Sequence, residues 1–259
     1  MQGRKVFVVC AVGLALAVPL VAQAELSAEA VLDKVYGQRS AKGCWPTTDD
    51  GQSYCMKVDH ADQRGTATGN RLYLLVTGEA VDAQGEAISA HALSGLVGAF
   101  VVEEHNGKAE LIASDPKIPM GEFGSPPTDW KLSLLGPSDY WGWQNTTGGG
   151  NQGVFYSWYV LLAPYGNKIS NLADFNASYD NTGSCGDKAC ERHTGSVDST
   201  LVIDSSKNTE KVYPVQVTVT GTGTVKGKKL KPKTWTLPFD YKKWIYSKPK
   251  DWPLGQVDF

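Results

Sequence analysis

The sequence predicts an all-β fold, or a β-rich one with one short N-terminal helix, arranged as an antiparallel sandwich or barrel-like sheets with a long C-terminal hairpin. Three observations predict it. Apolar and polar side chains alternate residue by residue near the C-terminus, short runs rich in branched and aromatic types recur along the chain, and Gly, Pro, Asn and Asp separate those runs. Short strands with turn residues between them favour sheet-on-sheet packing over alternating helices and strands.

The helix comes first. Ser27 can accept from the free amides of a first turn, Ala28, Val31, Leu32 and Val35 fall on one face, and Gly37 ends the pattern. Strands are then expected over 71–77, 96–103, 110–113, 130–135, 154–163 and 200–204. In 154–163, Val154, Tyr156, Trp158, Val160 and Leu162 line one face while Phe155, Tyr159, Leu161 and Ala163 line the other, so both faces call for cover and the run reads as a central strand. The clearest alternation sets Tyr213, Val215, Val217 and Val219 against Gln216, Thr218 and Thr220, and Trp235, Leu237, Phe239 and Tyr241 against Thr236, Pro238 and Asp240. Lys226, Gly227, Lys228 and Lys229 lie between the two sets, which makes a long hairpin with a lysine-rich tip. Pro214 and Pro238 cannot donate to a ladder and belong at strand ends, bulges or an outer edge. No internal repeat is regular enough to indicate a solenoid or propeller.

Residues 1–24 have the three parts of a secretory signal: a basic start at Arg4 and Lys5, an apolar stretch from Val6 to Val21, and a small-x-small site at Ala22, Gln23 and Ala24. The stretch is short for a membrane span, which needs roughly 20 apolar residues, and it contains Pro19. Cleavage would leave 25–259 as a single β-rich domain, with 195–210 as the one place where a subdivision would fall. No later apolar run approaches spanning length, so the expected address is periplasmic or secreted. In that compartment Cys44, Cys55, Cys185 and Cys190 are expected to form two disulfides. Pairing of Cys44 with Cys55 and of Cys185 with Cys190 closes two short loops; cross-pairing closes longer ones. The C-x10-C and C-x4-C spacings do not suit a zinc knuckle.

Residues 139–145, Asp-Tyr-Trp-Gly-Trp-Gln-Asn, followed by Gly148 to Gly150 and then Tyr156 and Trp158, form the most suggestive segment for function. Aromatic faces beside amides and carboxylates suit sugars, because axial C–H bonds pack on the ring while hydroxyls bond the polar groups. The expected ligand-binding residues are therefore Asp139, Tyr140, Trp141, Trp143, Asn145, Tyr156 and Trp158. The competing account places the tryptophans in the core and the glycines in a hairpin turn.

Other chemistry is thinly represented. The glycine triplet is not followed by Lys-Ser or Lys-Thr, which argues against a phosphate loop, and no G-x-S-x-G elbow is present. His60, His91, His105 and His193 are scattered without metal-ligand spacing, so no metal and no cofactor is expected. Asp49, Asp50 and Gly51, and residues 180–184, read as turns rather than complete calcium loops. Catalytic carboxylates of a glycoside hydrolase leave no required spacing, so the sequence cannot pair them.

The net charge is −2, but acidic residues dominate 25–210 and lysines dominate 211–259. Lys226, Lys228, Lys229, Lys231, Lys233, Lys242, Lys243, Lys248 and Lys250 interleave with Trp235, Tyr241, Trp244 and Tyr246, a pattern that serves a polyanion partner or the protection of an exposed edge. The leading expectation is an exported, non-enzymatic protein that binds an envelope glycan or protein through the aromatic region around 140–158. An envelope hydrolase with a carboxylate pair is the alternative, and a polyanion-binding surface protein a third.

Overall fold

A computed structural model describes residues 27–67, 69–105, 108–186, 194–225 and 228–255. The expected signal segment, Cys190, His193 and Lys226 lie outside the described residues. The chain is all-β apart from one short helix, and a 13-stranded, predominantly antiparallel sheet dominates it.

Helix α1 (Ala28–Tyr36) starts where Ser27 accepts from the Ala30 amide and stops at Gly37, whose φ of 89° is open chiefly to glycine. Strands β1 (Trp45–Asp49), β2 (Gln52–Thr66), β3 (Gly69–Val81), β4 (Gly95–His105) and β5 (Lys108–Met120) then form an antiparallel meander. The alternation of β3 shows how the layers arise. Leu72, Leu74 and Val76 face a cluster with Leu32 of α1, Trp45, Met56 and Phe100, while Tyr73 and Leu75 face a second cluster with Val97, Ala99, Trp143, Val160 and Leu162. The helix is fastened to the meander by the Trp45 indole, which donates to Asp33 Oδ1 (2.7 Å), and by the Tyr36 hydroxyl, which donates to the Pro116 carbonyl (2.6 Å). Gly98 leaves the room that the Tyr36 hydroxyl occupies, since a Cβ there would collide with it and sit 2.8 Å from Val76 Cγ2.

The second half begins with β6 (Lys131–Gly136), β7 (Tyr140–Asn151) and β8 (Val154–Tyr165), followed by β9 (Lys168–Asn171), β10 (Asn176–Asp180), β11 (Ser196–Ile203) and β12 (Val215–Gly221). Its sheet continues from β5 through a single parallel pair, Ser114 with Lys168 of β9, and runs on through β8, β10, β11 and β12 to β15 (Lys233–Leu237). The meander therefore packs face to face against β6–β8 across the second cluster, as in a sandwich, and no barrel closes. Strand β8 is central where 160–163 runs. Val160 and Leu162 belong to the cluster shared with the meander, and Leu161 and Ala163 belong to a third cluster with Phe175, Val197, Val215, Val217, Val219 and Leu237. Its outer half is not covered on both faces as expected: Phe155 is 58% exposed, Tyr156 37% and Trp158 40%.

The C-terminal hairpin forms in part. Strands β12 and β15 pair from Val215 with Leu237 to Val219 with Lys233, and Val215, Val217 and Val219 are buried. Strands β13 (Thr224–Val225) and β14 (Lys228–Lys229) form a separate short ladder. The expected continuous strand through Tyr241 breaks at Pro238, whose missing N–H cannot extend the ladder. Instead β16 (Phe239–Asp240) pairs with β17 (Ile245–Tyr246). Tyr246, buried and donating to the Tyr213 carbonyl (3.0 Å), has its hydroxyl pushed to higher pKa by burial.

Cys44 and Cys55 are disulfide-bonded across the β1–β2 hairpin, where residues Pro46 and Cys55 are register partners. Cys185 is also disulfide-bonded, and because Cys44 and Cys55 bond each other, neither cross-pairs with it. Such bonds persist in oxidising compartments. Among the described residues, no helix is long and apolar enough to cross a membrane.

Candidate functional site

The hairpin joining β7 to β8 sets the geometry of the site. Asn151 pairs with Val154 across Gln152 and Gly153, whose φ values of 51° and 80° form the two-residue turn with both central residues left-handed. The turn is therefore at 152–153, and Gly148, Gly149 and Gly150 are strand residues opposite Ser157, Tyr156 and Phe155. Their missing side chains make room for close neighbours: the Tyr156 backbone at Gly148, the Glu122 carboxylate at Gly149 and the Phe155 ring at Gly150. A Cβ on Gly149 would lie 2.6 Å from Glu122 Oε2 and 3.8 Å from Tyr156 Cε2, so the Glu122 carboxylate occupies space above Gly149 beside the Tyr156 ring.

Tyr156 and Trp158, two apart on β8, project from the same face with ring centroids 4.8 Å apart at 60°. They line a cleft of about 590 Å³ whose other walls are His91 and Ser94, the segment Pro119 to Glu122, Thr147, and residues 171 and 173–175. Met120 and Val160, both members of the cluster between the two sheet layers, form its floor where that core opens to solvent.

Each polar wall is held in place by backbone geometry. Glu122 and Ser125 bracket a turn in which Phe123 (φ 56°) and Gly124 (φ 79°) are left-handed, and the Gly124 amide donates to the Leu93 carbonyl (2.6 Å). The Gly124 carbonyl accepts from the Ala80 amide (2.8 Å). This turns Phe123 outward, 42% exposed and stacked on His91 (4.9 Å, 28°) at the rim. Thr147 Oγ1 accepts from the Gly121 amide (3.2 Å), tying the Glu122 turn to β7. On the opposite wall Asn171 Oδ1 accepts from the amides of Leu161 (3.0 Å) and Ala173 (3.2 Å), which fixes the bend that presents Asp174. Among the described residues the carboxylates of Glu122 and Asp174 have no hydrogen-bond or ion-pair partner.

The expected ligand-binding residues separate into two groups. Tyr156 and Trp158 stand on the cleft. The 139–145 segment is mostly structural: Trp143 is wholly enclosed, edge-on to Tyr73 (5.9 Å, 68°), and offers no face to a ligand. Trp141 is partly buried beneath the Arg64 guanidinium (5.0 Å). Tyr140 packs on Trp244, donates to the Pro164 carbonyl (2.9 Å), and has its hydroxyl pushed up to about 12 by burial. Asp139 (φ 50°) sits at the β6–β7 connection, its carbonyl accepting from the Tyr73 hydroxyl (3.3 Å). Asn145 donates to the Thr128 carbonyl (2.6 Å) and lines a separate small cavity of about 180 Å³. Glu122, His91, Asn171 and Asp174 were not expected from sequence, and no local motif marks them: distant turns bring them to the aromatic strand.

Other features are accounted for locally. A cavity of about 680 Å³ beside the Cys44–Cys55 disulfide has no aromatic platform apart from Tyr54, and Lys42 spans its side by donating to the Gln84 and Gly85 carbonyls and Glu86. Asp180 accepts from the Thr182 amide (2.8 Å) and hydroxyl (2.6 Å), which hold its carboxyl below the usual range and make it a turn cap. Lys233 pairs with Asp251 (2.8 Å) and lies over Trp235 (4.5 Å). Among the described residues, no group of three or more His, Cys, Asp or Glu side chains is placed to hold a metal.

The fold and the cleft together define an all-β, disulfide-bonded protein with a half-open cleft walled by aromatic rings and carboxylates. No protein-family profile, curated protein or solved structure matches the chain.

Proposed function

We propose that the chain is an exported binding protein that takes an envelope glycan in the cleft over Tyr156 and Trp158. The observation that carries this reading is the exposure of both rings on one strand face, inside a cleft, next to hydroxyl, amide and carboxylate groups from Thr147, Asn171, Glu122 and Asp174. Pyranose rings present apolar C–H faces and equatorial hydroxyls, which such a wall matches in both respects. The signal-like residues 1–24 and the Cys44–Cys55 disulfide support export to an oxidising compartment.

The test is binding of the purified protein to envelope oligosaccharides, followed by Trp158→Ala and Tyr156→Ala. Each is expected to weaken binding at least about tenfold, equivalent to roughly 1.4 kcal/mol, with the near-ultraviolet dichroism of the remaining aromatics retained. Undiminished affinity in both variants would remove the cleft as the binding site.

A second reading, hydrolysis of the bound glycan, draws on the two carboxylates that line the cleft, since glycoside hydrolysis employs two carboxyl groups. Release of new reducing ends, lost in Glu122→Gln or Asp174→Asn, would replace binding by catalysis; intact oligosaccharide after prolonged incubation would leave binding alone.

A further inference from the structure

We infer that the cleft selects saccharides bearing free amines, of the glucosamine type, over neutral and over uronic-acid saccharides; this rests on the glycan reading above and names its ligand class. The charge of the lining is one-sided. Glu122 and Asp174 are its two carboxylates, His91 is its single ionisable nitrogen, and no lysine or arginine lines it among the described residues. Some carboxylates elsewhere on the fold meet cations: Glu86 meets Lys42 (2.7 Å), Glu103 meets Arg71 (2.9 Å) and Asp251 meets Lys233 (2.8 Å). Among the described residues the cleft pair meets no cation, which leaves both carboxylates available to a ligand.

Position reinforces charge. Gly149 is the residue that lets the Glu122 carboxylate lie against the strand beside Tyr156, within reach of a group on the edge of a sugar that stacks on the Tyr156 ring, which Trp158 meets at 60°. A protonated amine there meets a carboxylate as a charge-assisted hydrogen-bond donor and an aromatic face as a cation. An N-acetyl group loses the charge and adds bulk, and a uronate brings like charge to two carboxylates. Partly exposed pairs of this kind are individually weak, so two of them give a preference on the order of tenfold that fades as salt rises.

The experiment compares four tetrasaccharides by calorimetry at low salt: glucosamine, N-acetylglucosamine, glucose and galacturonate. The expected order places glucosamine about tenfold tighter than the two neutral forms and galacturonate weakest. Glu122→Gln is expected to collapse the ratio of glucosamine to glucose affinity toward one. Gly149→Ala, which displaces the carboxylate while keeping its charge, is expected to lower the same ratio. Equal binding of glucosamine and glucose forms overturns the selectivity and leaves glycan binding standing. Tighter binding of galacturonate, or a ratio that survives Glu122→Gln combined with Asp174→Asn, also overturns it. Spermidine binding as tightly as the glucosamine tetrasaccharide makes the cleft a plain amine site and overturns the saccharide part. Absence of binding to all four sugars overturns the glycan reading itself.

Discussion

Replacing Trp143 by alanine measures how far the aromatic segment is core. The indole is 0% exposed, sits edge-on to Tyr73, and is packed between the meander and β8 near Val160 and Leu162. Removing a fully enclosed tryptophan costs about 3–5 kcal/mol through lost burial and the cavity left behind. For a domain of this size each kcal/mol lowers Tm by about 2–4 °C, so a fall of roughly 6–20 °C is expected in a calorimetric scan of the purified protein. Trp158→Ala is the internal control. That ring is already 40% exposed, and its loss is expected to cost about 1–2 kcal/mol and correspondingly fewer degrees. A Trp143→Ala protein melting within about 2 °C of the parent would refute the placement of that indole between the layers.

Reducing the Cys44–Cys55 bond, or replacing Cys55 by serine, opens a loop with a sequence separation of 11 and is expected to cost about 3 kcal/mol; an unchanged denaturant midpoint would show that the bond does not constrain the unfolded chain. Burial raises the Tyr140 hydroxyl to about 12 whereas an unfolded tyrosine ionises near 10, so the folded state holds its proton more tightly. The sign follows: stability is complete below about pH 10 and declines between about 10 and 12, and Tyr140→Phe should soften that decline in pH-dependent melting. A decline identical in the variant would assign it to other tyrosines.

The parts of the fold legible in sequence are those with at least one apolar face. The alternation around Val215, Val217 and Val219 identifies a strand because its burial is periodic, and the branched runs in β3 and β4 do so because they are buried on both faces. Strand β2 escapes this reading, since Lys57, Asp59, His60, Asp62, Gln63 and Arg64 leave its outer half without an apolar stripe. Pairing with β3, continuous apart from a shift between Val58 and His60, holds it. Strand β7 escapes because its second half is Thr-Thr-Gly-Gly-Gly, a composition that reads as a turn, whereas the left-handed residues that make the turn are Gln152 and Gly153. The site divides in the same way. Tyr156 and Trp158 are visible as an aromatic pair of matching parity, but exposure depends on which part of β8 the meander covers, and that cover ends at Val160. Glu122 and Asp174 reach the cleft through turns set by Gly124 and Asn171, a long-range coincidence with no local pattern.

The join between β5 and β9 has a consequence for how the molecule responds to whatever it holds. One backbone pair, Ser114 with Lys168, stitches the meander to the remaining ladder there, and the cleft straddles that seam, with Pro119 to Glu122 on one bank and Tyr156, Trp158 and Asp174 on the other. A guest touching both banks acts as a rivet across the weakest line of the sheet. Every increment of its affinity becomes resistance to parting the two halves, readable as slowed amide exchange along β5 and β9.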